Sequence, residues 1–187
     1  MMKTVFVSGS RKISRLNQET RERLENIIKR GLEVIIGDAN GSDKAVQSFF
    51  AERKYPHVTI YCTGNTCRNN VGAWKIHAVE ANKNLSGRAF YTLKDKEMAR
   101  NADVGMVLWD GKSTGSLNNI LEMASQNKLV VVYFFPTREF IDVKTLDDAK
   151  VLLSKCEAKD LAEITKKSSL TSSLGKGEYS PKMLFGV

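Results

Sequence analysis

Three short segments combine glycine, hydroxyl and charged side chains directly after apolar runs. The first is Ser8, Gly9, Ser10, Arg11. A glycine permits a tight turn and close backbone approach, a hydroxyl can donate to a phosphate oxygen, and Arg11 can grip one bidentately. The second is Gly37, Asp38, Ala39, Asn40, Gly41, Ser42, Asp43, running straight into a helical pattern. A helix start exposes unpaired N–H groups, so the segment forms an anion platform, with Ser42 as phosphate ligand or simple cap. Asp38 can accept from ribose hydroxyls or act as a base. The third is Trp109, Asp110, Gly111, Lys112, Ser113, Thr114, Gly115, Ser116, again ahead of a helical pattern. Its hydroxyls and glycines suit phosphate, with Lys112 as countercharge. Neither GxxxxGK[ST] nor GxGxxG occurs, which argues against P-loop hydrolysis and standard dinucleotide binding. Each segment taken alone also reads as an ordinary glycine turn before a capped helix.

The elements that must position these segments alternate. Residues 4–7, 34–36, 58–62, 104–109 and 129–135 read as short apolar strands. Residues 18–30, with Leu24, Ile27 and Ile28 on one face, read as a helix capped by Asn17 and ended by Gly31. Further helices are expected over 43–53, 93–102 and the stretch marked by Leu117, Ile120, Leu121 and Ala124. Residues 63–91 should form a long ligand-side loop followed by a helix within 74–84. This order implies an α/β fold, a doubly wound, mainly parallel sheet with helices on both faces, in which loops after strands gather along one edge. Pro136 is expected to close the main domain, residues 1–136. Residues 137–187 then form an extension with short helices at 146–153 and 158–164 and a tail of mobile composition, SSLTSSLGKGEYSP.

Length and charge bound the function classes. The 187 residues accommodate one such domain with an appendage, and no run approaches the roughly 20 apolar residues of a membrane span. The net charge is +8, of which residues 1–136 hold +7 and residues 1–30 alone +5. That field favours an anionic partner without naming it. Cys62, Cys67 and Cys156 are odd in number and sparse, which predicts reduced thiols and a cytoplasmic location. His57 and His77 fall at no metal-ligand spacing with them, so neither metal nor cofactor is expected.

GSR after the first strand, GDANGSDKAV after the second and MARNADVGMVLWDGKSTGSLNNI resemble the SLOG superfamily of Rossmann-like proteins over residues 3–136. They are most similar to its YpsA-related branch, and more distantly to lonely-guy phosphoribohydrolases and the DNA-processing protein A family. The resemblance implies strand-end loops that bind nucleotides or nucleotide-derived ligands. In the lonely-guy enzymes PGGxGTxxE ends on a glutamate that helps cleave an N-glycosidic bond. Here the motif falls on Gly115 and Ser116 and puts Asn119 where the glutamate stands, and an amide cannot serve as carboxylate base. The family's Arg-Lys pair falls on Lys94 and Asp95.

The expected function is therefore binding of a nucleoside monophosphate or ADP-ribose-like molecule, as a sensor or as an N-glycosidic hydrolase. Arg11, Ser42, Ser113, Thr114 and Ser116 would hold phosphate, Asp38 and Asp110 would read ribose or act in catalysis, and Arg68 would close over the ligand. A homo-oligomer is expected, with the apolar end MLFGV contributing to its interface. The alternative is a nucleic-acid-binding protein that uses the basic N-terminal region, although aromatic residues for stacking strands are not interleaved with that cluster.

Overall fold

The computed structural model describes residues 3–64, 66–81 and 87–167. The tail composition at 168–187, including MLFGV, and the end of the helix expected within 74–84 lie outside them. Seven strands form one sheet in the order β4-β3-β2-β1-β5-β6-β7. The chain starts at its centre with β1 (Thr4–Gly9), passes through α1 (Gln18–Lys29) to β2 (Glu33–Gly37), then through α2 (Ser42–Glu52) to β3 (Val58–Thr63) and β4 (Lys75–Val79). It returns through α3 (Gly87–Asn101) to β5 (Val104–Trp109) on the other side of β1, then α4 (Thr114–Ser125) and β6 (Val130–Phe134). These six strands pair in parallel, and β7 (Glu139–Val143) adds antiparallel to β6. α5 (Leu146–Ser154) and α6 (Ala158–Lys167) follow.

The pleat of β1 sorts the core into two layers. Val5 and Val7 pack with Leu24 and Ile27 of α1 and Val46, Phe49 and Phe50 of α2. Phe6, facing the other way, belongs with Met98 of α3, Leu117, Ile120 and Leu121 of α4, Leu152 and Leu153 of α5 and Ile164 of α6. Helices thus cover both faces of a Rossmann-like sheet, as the alternating pattern predicts. Because sequence order reverses between β1 and β5, their C-terminal ends bracket the crevice where ligands of such sheets bind.

Three local readings differ. Residues 75–79 form the edge strand β4 where a helix is expected. Lys75 and Ile76 are exposed there, while His77 stacks on Tyr61 of β3 with ring centroids 4.4 Å apart, so cross-strand pairing outweighs the weak helical period. The helix of this region instead starts at Gly87, six residues earlier than the expected 93. The sheet also continues past Pro136 into β7, whose Val143 joins the same core as α4.

Asn17 shows how local and long-range order meet. Its Oδ1 accepts from the Thr20 backbone at 3.1 Å and so caps α1, while its amide donates to the Tyr133 hydroxyl at 2.6 Å across the layer. Asn17→Ala is expected to cost about 1–2 kcal/mol in urea unfolding, and Asn17→Asp, which keeps the cap, less than that.

Candidate functional site

The loops after β1, β2 and β5 meet at one buried residue, Ser10. Ser10 is fully buried. Its Oγ donates to Asp110 Oδ1 at 2.7 Å and lies 3.4 Å from Ser116 Oγ, while its carbonyl accepts from the Ser42 hydroxyl at 3.0 Å. The three segments of mixed chemistry are therefore one structure. Their approach is tight enough to require glycine twice. A Cβ on Gly9 would stand 2.5 Å from the Leu108 carbonyl oxygen, and one on Gly41, at φ +82°, would stand 2.1 Å from that of Arg11.

Beside this junction lies a cavity of about 650 Å³. One wall is the start of α4, where Ser113, Thr114, Gly115 and Ser116 face the space and Ser113 caps the helix through the Ser116 N–H. Gly9, Arg11 and Lys12 enter from the β1 loop, and Tyr91, Lys94, Asp95 and Met98 form the wall supplied by α3. Asp160, Glu163 and Ile164 of α6 complete it, and Asp160 holds Lys112 at 3.0 Å.

The expected site residues divide between lining and support. Gly9, Arg11, Asp43, Arg68, Asp110, Ser113, Thr114, Gly115, Ser116 and Asn119 line the cavity. Ser10 and Ser42 lie buried behind it, holding the loops together. Trp109 is fully buried and donates its indole N–H to the Ser113 carbonyl, Gly37 packs against Asp43 and Lys94, and Gly111 turns the chain at φ +74° against Phe134. Asp38 also stands behind the surface. Both its oxygens are taken by Arg68, through Nη2 at 2.6 Å, Nε at 3.1 Å and the backbone N–H at 3.0 Å. Burial would raise the Asp38 carboxyl, but the side-chain and backbone hydrogen bonds of Arg68 and its charge outweigh that and hold it below its ordinary range. Asp110 organises its own loop, Oδ1 accepting from the Lys112 and Ser113 N–H groups at 3.0 and 2.8 Å. Asn119 donates to the Ser8 hydroxyl at 3.2 Å.

Two features escape the sequence. Tyr91 and Met98 share one face of α3 at helical spacing with Lys94 and Asp95, the pair the resemblance singles out, and a polar break in an apolar stripe is the signal that could have revealed them. Tyr91 lies under both Arg68 and Arg11, whose guanidinium carbons are 4.2 and 5.8 Å from its ring centre. Cys62 and Cys67 are also joined in a disulfide, with Cα atoms 5.3 Å apart, which corrects the reading of reduced thiols. Their five-residue separation at the end of β3 brings the sulfurs together and closes the turn ahead of Arg68. Cys156 is a free thiol, pushed up to about 11 by burial and by Asp160.

Behind the α3 wall, Lys94 is buried between carboxylates. Its Nζ donates to Asp95 Oδ1 at 2.7 Å, and although burial pulls the ammonium down, Asp95 and Asp43 hold it above its usual value. Burial pushes Asp43 up to about 6, against the opposing charge of Lys94.

This shift has a sign. Between the unfolded carboxyl range near 4 and about 6, folded Asp43 holds a proton that the unfolded chain has lost, so its contribution is fully present below about pH 4 and is lost as pH rises through about 6. Asp43→Asn should flatten the fall in stability between pH 5 and 7 by an amount on the order of 1–3 kcal/mol, read from urea unfolding at each pH. Ser10→Ala should cost about 1–3 kcal/mol at neutral pH by the same measurement, because it removes a buried donor to Asp110 while keeping the backbone.

No protein-family model matches the chain, and no curated protein does. Among solved structures it is similar to DNA processing protein A from Helicobacter pylori, whose structure addresses a single-stranded DNA binding mode. The two superpose with a TM-score of 0.57 at 13% identity, over 89% of this chain and 81% of that one. At that identity the likeness concerns the fold, and the chain has a Rossmann-like α/β fold.

Proposed function

We propose that the protein binds a small nucleotide-derived ligand, a nucleoside monophosphate or ADP-ribose-like molecule, in the manner of SLOG domains. The observation that carries this reading is that the start of α4 lines one cavity together with Arg11 and Lys12, neither of which pairs with a carboxylate among the described residues. Helix N–H groups and two cations suit a phosphate carrying about −1.5 to −2 charges. The volume lies within the range of about 300–1,000 Å³ typical of small-molecule sites. Asp110 lines the same cavity as the start of α4 and could accept from a ribose hydroxyl, and Tyr91 and Met98 offer an apolar wall to a base.

Sensing is favoured over hydrolysis. Glycosidic cleavage uses a carboxylate at the reacting carbon, whereas Asn119 is an amide, Asp38 is held by Arg68 and Asp110 ties its own loop. The second reading, single-stranded DNA binding, draws on the likeness to DNA processing protein A and on the +5 charge of residues 1–30. Against it, α6 lines the cavity with Asp160 and Glu163, whose carboxylates oppose a polyanion.

Incubation with AMP, ADP-ribose and NAD, following thermal shift and base release together, separates the readings. AMP or ADP-ribose at 100 times its Kd should stabilise the protein by about 2.7 kcal/mol without base release. Arg11→Ala should weaken binding about tenfold or more, as expected for a charge-assisted contact. Base release that disappears in Asp110→Asn would identify a hydrolase. Silence toward all three, with DNA affinity falling steeply with log salt, would favour the second reading.

A further inference from the structure

We propose that α6 is an autoinhibitory lid whose Asp160 carboxylate occupies the phosphate end of the cavity and must be displaced by an anionic ligand. The inference rests on the nucleotide reading above and adds its regulation. Lys112 belongs to the loop that starts α4, where a phosphate would seat, yet its ammonium is held by Asp160 Oδ2 at 3.0 Å. Glu163 lines the same cavity one helical turn further on. A phosphate dianion entering this space meets two carboxylates on the α6 wall and finds Lys112 already paired. Closed α6 and bound phosphate therefore compete for one cation.

The attachment of α6 suits displacement. Among its described residues Ile164 alone is fully buried, with Leu161 half-buried beside it, whereas α5 buries Ala149, Leu152 and Leu153. A short link, residues 155–157, joins the two helices, so α6 can swing while α5 stays on the sheet. Segments with few buried apolar side chains open at low cost. Ligand arrival would thus release α6, giving a sensor its output.

The test uses the full chain and AMP as probe. Asp160→Asn and Ile164→Ala should each bind AMP about two- to fivefold more tightly than the parent chain, the gain expected when a solvent-accessible ion pair no longer competes. Asp147→Asn, which removes an equal charge from an exposed position on α5, should leave affinity unchanged. AMP should also speed amide hydrogen exchange in residues 158–167. Unchanged or weaker binding by both variants, or slower exchange there on adding AMP, would overturn the lid and make α6 an ordinary wall of the site. If AMP binds none of these proteins, the nucleotide reading fails, while exchange without ligand still decides the lid. Asp160→Asn must then open α6 relative to the parent chain, and an unchanged exchange rate rejects it.

Discussion

The arrangement depends on a constraint at Ser10, a serine sealed from solvent between the ends of β1 and β5. Its hydroxyl finds Asp110 of the β5 loop and Ser116 of α4, while its backbone carbonyl accepts from Ser42 at the start of α2. Satisfying both groups fixes the distance between the β1 turn, the start of α2 and the Asp110 turn. The glycines at 9 and 41 are the steric counterpart, since no side chain fits where the strands and loops converge. The cavity is the space left beside that junction.

Electrostatics then select which basic residues remain available. Arg68 is bound by Asp38, Lys94 by Asp95 with Asp43 nearby, and Lys112 by Asp160. The pairings of Asp38 and Lys94 neutralise charge that burial would otherwise make costly, whereas Lys112 is exposed. Arg11 and Lys12 stand apart, adjacent in sequence and lining the same cavity as the first turn of α4. Three of the basic residues at the site are therefore already paired locally. What an anion would meet is a small, directed remainder.

The alternation of apolar runs and amphipathic stretches made the central sheet legible, because strands buried on both faces are short and β-branched while α1, α2 and α4 carry clear apolar stripes. β4 and β7 were not legible, for they are edge strands with polar or exposed positions that interrupt any simple pattern. Of α3 only the second half, expected over 93–102, was legible, because its buried face includes Lys94 and interrupts the hydrophobic period. The Cys62–Cys67 pair was hidden for another reason: a composition of three cysteines carries no information about which two thiols a turn will bring together.

By itself the sequence determined the α/β alternation, the three strand-end segments and the residue types available there, because backbone period and turn chemistry are local properties. The tertiary structure decided which of those residues face a ligand and which hold the walls. Ser10, Ser42 and Trp109 went inward, Asp38 became the partner of Arg68, and α6 came from beyond Pro136 to close the cavity. Those assignments turn on burial and on competition for partners between segments about 30 to 150 residues apart. No local pattern encodes the outcome of that competition.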